Sequence, residues 1–475
     1  MARACVVALL ALFLAGPAAA VPRFGVAEDA PKYADDGGAA LFADFHRVGL
    51  TVDRVTVRWD ETQPTTIQEK PFLDRMVPQA VKAGIQLVFQ VFPLHPRAFQ
   101  ADTDARTSAF AAYVADLASM YPQVRRFIVL NEPNEAFFFD PQISHGRNVS
   151  AAVAEEVLAK TWDAVKSVDP TLDLVGLSIS PEANDVTSTS PVRFLAALGQ
   201  AYRASGRTAP LMDDLGLHLY PKNAATQDDT THYQWPQTGP NDLGRVEQAF
   251  YDAFAGTGQP VFQETAQPVG PVAHLVLDEI GWQVAIRPTL RSLYTSRETV
   301  PVTTEARQAR IYAALVRSLR CNAAVSDVLL FHLIDETDLR RFQSGLERAD
   351  GSRRPSFTTV TNAIRSAAAC AAAPAWRHTN GVEGAKLAAR ATVRVSNGGV
   401  KVRPTASEDA TATVSLVHSG RVVASGSVAV TAYHRPPVFL AAKLVAGRYS
   451  VVAKLVSALA PGRTTTLRRP LLVTR

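Results

Sequence analysis

Between about residue 24 and residue 338, short apolar runs alternate with stretches of helical periodicity. The runs cover 24–27, 52–59, 85–92, 127–130, 172–177, 215–219, 274–277 and 328–333, and each reads as a strand. Between them, Phe110, Val114 and Leu117 fall on one stripe at i, i+4, i+7, and Ile311, Leu315 and Leu319 at i, i+4, i+8, as in helices with one buried face. Strand–helix alternation places the strands in a parallel sheet covered by helices. Eight repeats over this length suit a closed α/β barrel, the (β/α)8 or TIM barrel. The rival is an open doubly wound sheet, which normally turns from its first strand into a glycine-rich phosphate loop. Here the first run leads instead into Glu28-Asp29-Ala30-Pro31.

The pattern changes after about residue 375. Short β-rich runs at 391–395, 412–417, 428–430 and 449–453 are separated by the turn formers Asn397-Gly398-Gly399, Ser419-Gly420 and Ala446-Gly447. That spacing predicts a small all-β, immunoglobulin-like sandwich over 385–475, following a barrel domain over 21–375 whose last helix falls within 356–373. A length of 475 residues fits one large and one small domain. The first twenty residues have the layout of a secretory signal peptide: Arg3, an apolar stretch from Cys5 to Ala15, then Gly16-Pro17 and small Ala18-Ala19-Ala20. The mature chain is expected to begin near Val21 and to work outside the cytoplasm, secreted, with no membrane span after cleavage.

Composition adds exclusions. With 47% hydrophobic and 20% charged residues, the chain is not a disordered one. The net charge of +5 is spread among mixed Lys, Arg, Asp and Glu, which reads as a solvated surface rather than a nucleic-acid groove. It leaves room for weak association with an anionic cell surface. No His, Cys and Asp set has metal-ligand spacing, so no metal and no cofactor are expected. Of three cysteines, Cys5 leaves with the signal. Cys321 and Cys370 close neighbouring helical segments, and an oxidising compartment would let them pair.

The chemistry-bearing residues cluster at the ends of the apolar runs, the face where barrels carry their active sites. The fourth run ends in Asn131-Glu132-Pro133-Asn134-Glu135, and the seventh in Asp278-Glu279-Ile280-Gly281-Trp282. Two carboxyl groups facing one another suit glycosidic-bond cleavage with retention, Glu132 as general acid/base and Glu279 as nucleophile. Asn131 is placed to bond a sugar 2-hydroxyl, and Arg58, at the end of the second run, to hold Glu279 ionised. His218 and Tyr220 lie two apart on one strand face, with Tyr220 able to donate to Glu279. Trp282 and Trp59 offer flat faces for sugar stacking, and His95, after the third strand, is placed to line the sugar site. Rivals remain: Glu264 for Glu279, Glu135 for Glu132, and a core role for His218 and for the tryptophans. Asp335, Glu336 and Asp338 form an acidic cluster at the eighth strand, for a cation, a hydroxyl or solvent.

Over roughly residues 24 to 360 the chain resembles glycoside hydrolase clan A, the superfamily of many cellulases, mannanases and xylosidases. Asn131-Glu132-Pro133 is similar to its acid/base motif, Glu279-Ile280-Gly281-Trp282 to its nucleophile motif, Arg58 to its strand-two arginine, and His218 with Tyr220-Pro221 to its strand-six pair. The clan commonly has a tryptophan after strand eight. Here the sequence is Phe331-His332-Leu333-Ile334-Asp335-Glu336, which puts the sugar platform there in doubt. The resemblance implies a retaining hydrolase of an oligosaccharide, polysaccharide or other glycoside. A transglycosylase sharing the same intermediate and a non-catalytic carbohydrate-binding protein on a barrel scaffold are the alternatives.

Overall fold

The computed structural model describes residues 21–262, 271–366, 387–406, 410–430, 435–458 and 463–474. Eight parallel strands close into a barrel in chain order: β1 Arg23–Ala27, β2 Val52–Trp59, β3 Gln86–Pro93, β4 Arg126–Val129, β5 Asp173–Ile179, β6 Asp214–Leu219, β7 Leu275–Ile280 and β8 Val325–Leu330. β8 pairs with β1 to complete the ring. Among the described residues eight helices of ten residues or more cover it: α1 Ala39–Val48, α2 Lys70–Ala83, α3 Thr103–Met120, α4 Ser150–Val168, α5 Pro191–Ser205, α6 Leu243–Phe254, α7 Glu305–Leu319 and α8 Pro355–Arg365. The two periodic stripes are buried as their spacing requires: Phe110, Val114 and Leu117 on α3, and Ile311, Leu315 and Leu319 on α7. Side chains end the solvent-facing starts of these helices. Asp102 accepts from the Ala105 amide, and Thr304 from that of Arg307.

The barrel interior is layered. At its N-terminal end Arg126 bonds Asp173, Asp214 and Asp327, and Arg23 holds Asp327 as well. Above this ionic floor, Val52, Val88, Ile128, Val175, Val276 and Leu329 form an apolar plug. β1 contributes Gly25 at this level because there is room for nothing else: a Cβ would sit 2.3 Å from the Val52 carbonyl oxygen and 2.8 Å from Leu329 Cδ2. The plug keeps water out from below. The polar side chains of the next layer therefore meet solvent only through the C-terminal mouth.

The C-terminal unit consists of β9 Ala389–Ser396, β10 Gly399–Ala406, β11 Ala410–His418, β12 Arg421–Val430, β13 Val438–Ala441, β14 Gly447–Ser457 and β15 Thr464–Val473. They form an antiparallel three-stranded sheet, β9-β10-β13, and a four-stranded sheet, β12-β11-β14-β15. Alternate residues of both sheets, among them Val400, Val402, Val414, Leu416, Val451 and Leu455, share one buried core, the packing of a sandwich. β10, β13 and β15 were not evident as apolar runs. β10 is polar at alternate positions and β15 mixes Thr, Arg and Pro, while β13 is only four residues, Val438-Phe439-Leu440-Ala441.

Two boundaries matter below. β7 runs on to Ile280, so Asp278 and Glu279 lie within the strand rather than after it. β8 stops at Leu330, leaving Phe331 to Leu333 on the rim. Among the described residues no helix is long and apolar enough to cross a membrane. The signal-like segment, Glu264 and Cys370, with its pairing to Cys321, lie outside the described residues.

Candidate active site

Four strand ends converge above the plug. β4 delivers Glu132, whose backbone sits in the left-handed region at φ 40° and whose amide donates to the Ser178 carbonyl of β5 at 2.9 Å. Its carboxyl Oε1 lies 2.8 Å from Nδ1 of His218, which is fully buried on β6. β7 delivers Glu279, only 9% exposed. Tyr220 donates its hydroxyl to Glu279 Oε2 at 2.6 Å, and Arg54 donates to Oε1. Burial, with the Glu132 charge next in size, pushes the Tyr220 phenol well above its ordinary range, so it stays a donor.

His218 Nδ1 also lies 3.5 Å from Glu279 Oε2. A shared neighbour at these two distances puts the facing oxygens of Glu132 and Glu279 at most about 6.3 Å apart. Asn131 is buried beside Glu132 and held by Gln90, whose amide donates to Asn131 Oδ1 at 2.8 Å.

The arginine reading needs correction. Arg58 does not reach Glu279. Its guanidinium donates to the Pro93 and Leu94 carbonyls at 3.1 and 2.9 Å and lies over the Phe92 ring. Arg54, four residues earlier on the same strand face, carries the contact instead. Both side chains point inward, but a strand rises about 3.3 Å per residue, so Arg58 stands roughly 13 Å nearer the rim.

Trp282 is also displaced from its expected place. It is fully buried, donates Nε1–H to the Gln227 carbonyl at 3.1 Å and packs edge-on against Tyr312, so it offers no face to a sugar. Trp59 is equally buried, stacked on Phe99 with its centroid 5.6 Å away. The aromatic rings beside the paired carboxyls are instead Phe331 and Phe342, both partly exposed. They lie 5.9 and 5.1 Å from the Tyr220 ring.

His95 stands on the rim, its side chain 55% exposed, paired at 2.9 Å with Glu61. With Asp60 these form a group whose ligand-type atoms lie within 4.8 Å of one another. Both Asp60 oxygens, however, already accept from Thr62 and Gln68, which leaves no cage for a cation. The strand-eight acids are structural or superficial. Asp335 is buried against Arg354 at 2.5 and 2.6 Å and accepts from Tyr294, while Asp338 pairs with exposed Arg340.

Glu135 lines a neighbouring pocket of about 560 Å3 together with Glu182, Lys222, His232, Tyr233 and Trp235. Burial pushes its carboxyl up to about 7, against a hydrogen bond from Ser188 and with the Glu132 charge adding. Two residues had no assigned role in the sequence reading. Asn134 donates to the Ser180 and Thr189 carbonyls at 3.1 and 2.9 Å and accepts from the Ser180 amide, clasping the ends of β4 and β5. Arg54 is the other, and a charged Asp53-Arg54 pair set between Val52 and Val55 inside a strand run was its signal.

No protein-family model matches the sequence, and no curated protein does. Among solved structures, the chain is similar to a family 39 glycoside hydrolase from the gut symbiont Bacteroides cellulosilyticus WH2. Identity there is 15%, over 89% of this chain and 81% of that one, with a TM-score of 0.49. It is also similar to GH5_18 from Streptomyces cattleya in complex with GlcNAc, at 16% identity over 73% and 80% of the two chains and a TM-score of 0.49. A monomeric beta-xylosidase from Caulobacter crescentus CB15 matches at 14% identity over 90% and 96%, with a TM-score of 0.45. At these values the likeness assigns no substrate and no residue roles to this chain.

Proposed function

We propose that this chain is a retaining glycoside hydrolase of the clan A type, acting on β-linked O-glycosides outside the cytoplasm. The observation that carries the reading is the close facing of Glu132 and Glu279 across His218. Retaining enzymes hold their carboxyl groups about 5–5.5 Å apart, whereas inverting ones need about 6.5–9.5 Å to admit a water. A ceiling of about 6.3 Å on the facing oxygens lies below the inverting range and favours direct attack by Glu279.

Each neighbour then has a task. Arg54 and Tyr220 hold Glu279 ionised and aimed at the anomeric carbon, one donor on each oxygen. Glu279 attacks and forms the glycosyl ester. Glu132 gives its proton to the departing oxygen, then takes one from the water that releases the sugar. Asn131, fixed by Gln90, is placed for the 2-hydroxyl beside the reacting carbon. Phe331 and Phe342 supply the apolar surface that Trp282 does not. The substrate is a carbohydrate, and secretion rests on the signal-like N-terminus.

The test is turnover of aryl β-glycosides and polysaccharides by the wild type and Glu279→Ala, with azide added to the variant. Turnover lost in Glu279→Ala and partly restored by azide, with an inverted glycosyl azide as product, is the expected result. Wild-type activity that survives in Glu279→Ala, or an inverted sugar from the wild type, overturns the reading.

A further inference from the structure

A third carboxyl lies behind the pair, and double displacement does not use it. Asp278 is fully buried and immediately precedes Glu279. Its Oδ2 accepts from Ser178 Oγ at 2.5 Å and lies 3.3 Å from His218 Nε2, while Oδ1 has no hydrogen-bond partner. A buried carboxylate is costly, and packing alone would be served by an uncharged side chain of the same size.

What distinguishes the position is its neighbour. His218 is fully buried and spans two carboxyls, Asp278 at Nε2 in the core and Glu132 at Nδ1 facing the cleft. A carboxylate beside one imidazole nitrogen fixes a proton there and so decides what the other nitrogen presents. Nε2 lies within ion-pair reach of Asp278 Oδ2 rather than in an aligned hydrogen bond; that charge favours a proton on Nε2, and Nδ1 and Glu132 Oε1 then hold one further proton between them.

We infer that Asp278 is a positioning residue for the acid/base step, acting through His218 to keep on the Glu132–His218 pair the proton that goes to the leaving oxygen. This rests on the reading of Glu132 as the acid/base. As the Glu279 carboxylate forms its bond to the anomeric carbon, the pair of electrons in the broken C–O bond stays with the leaving oxygen, which takes that proton. The pair is left as a carboxylate and a neutral imidazole. In the second step water adds its oxygen to the anomeric carbon as the Glu279–sugar bond breaks, its electron pair returning to the Glu279 carboxylate, and the water's proton goes back to the Glu132–His218 pair.

The surroundings of His218 agree in sign. The charged and titratable groups facing it are Glu132 from the end of β4, Asp278 and Glu279 from β7, and Tyr220 beyond its own strand, with Arg54 of β2 reaching Asp278. Burial opposes charge on His218, but Asp278 and then Glu132 outweigh it and set the imidazole above its ordinary value. Removing the Asp278 charge must therefore loosen the shared proton.

Asp278→Asn in the full chain keeps the shape and an acceptor for Ser178. The basic limb of kcat/KM on a glycoside with a poor leaving group should move down by roughly one pH unit. In the imidazole 15N spectrum, the His218 titration should fall in step, with its resonances assigned by His218→Gln. Ser178→Ala acts in the opposite direction: it frees Asp278 Oδ2 for Nε2–H and should raise both. It also decides the matter if Asp278→Asn does not fold.

An unchanged basic limb in a folded, active Asp278→Asn overturns the proposal, and so does an unchanged His218 titration in both variants. If His218 responds but the wild type turns over no glycoside, the glycosidase reading has failed, and with it the catalytic use of a coupling that stands. A purely structural Asp278 would lower stability and leave both titrations where they are.

Discussion

Arg54 and Arg58 give opposite answers to one substitution, Arg→Met, which keeps the length of the stem and deletes the charge. The Arg54 side chain is 4% exposed and its partner Glu279 12%. Removing one member of a buried ion pair costs about 3–5 kcal/mol, because the other charge is left without compensation. Asp278 next to it makes matters worse, since two adjacent buried carboxyls are then left with only the His218 imidazole to offset them. If about 3 kcal/mol of that loss is felt in the transition state, kcat/KM falls on the order of a hundredfold. The acid limb of the profile should also rise by about 1–3 units as Glu279 becomes harder to ionise. Arg58 loses only two bonds to backbone carbonyls and a contact over Phe92. At about 0.5–1.5 kcal/mol for each bond and about 0.5–1 for the ring, stability drops by roughly 2–4 kcal/mol, with kcat/KM within about threefold. The assay is kcat/KM from pH 4 to 9 on one aryl glycoside, with urea unfolding of each variant at pH 7. A more damaged Arg58 variant, or an Arg54→Met enzyme retaining a third of its activity with the acid limb in place, would refute the assignment.

Other consequences follow from burial and charge. Trp282→Ala should cost about 3–5 kcal/mol in urea unfolding, as expected of a filled core site, while Trp282→Phe leaves KM unchanged; a large rise in KM with little loss of stability would restore Trp282 to the sugar site. Arg126→Met leaves Asp173 at the barrel floor without its cation and Asp214 with only His274, which predicts a loss of about 3–5 kcal/mol at pH 7. A change below about 1 kcal/mol would show that the network contributes little. Glu247, 4% exposed on α6, is pushed up to about 7 by burial. A raised carboxyl binds its proton more tightly folded than unfolded, so stability falls as pH climbs from the unfolded value near 4.5 to 7 and is level above. Glu247→Gln should therefore be more stable than wild type by up to about 3 kcal/mol at pH 8 and indistinguishable at pH 4, and equal gaps at the two pH values would contradict this.

The barrel was legible because eight apolar runs and the stripes between them obey two different periods. That Glu132, Glu279, His218 and Tyr220 come together was legible because polar residues at the end of an apolar run have only the barrel mouth to face. Arg58 was misread for a physical reason: it stands among the last residues of β2, but an eight-residue strand extends past the layer of Glu132 and Glu279, which lies at the depth of Arg54. Trp282 failed through parity. Glu279 points inward, so Ile280 and Trp282, alternating with it, point away from the mouth and into the packing beneath α7. Asp278 was passed over because strict alternation allows only one of two neighbours to face inward. The pairing of β7 with β6 shifts register between Gly216 and His218, and that of β8 with β7 shifts between Val328 and Leu330, which lets both carboxyls serve the same layer. Neither shift leaves a mark in residue type.

The same irregularity explains how a rigid barrel brings Glu132 to His218 at all. Leu130 and Glu132 at the end of β4, and Leu177 and Ser178 near the end of β5, have φ of 74°, 40°, 82° and 47°, in the left-handed region that side chains disfavour. Each such residue costs about 1–3 kcal/mol and persists only where its surroundings enforce it. The enforcement is visible. The Glu132 amide is fixed to the Ser178 carbonyl, and Asn134 ties the loop to Ser180 and Thr189 by three hydrogen bonds. A regular β4 would carry residue 132 past the layer, as β2 carries Arg58. Turning the chain back at Leu130 keeps the Glu132 carboxyl level with Glu279. Strain is thus concentrated on the two strands that face His218, and the apolar plug beneath them and the helices outside supply the stability that tolerates it.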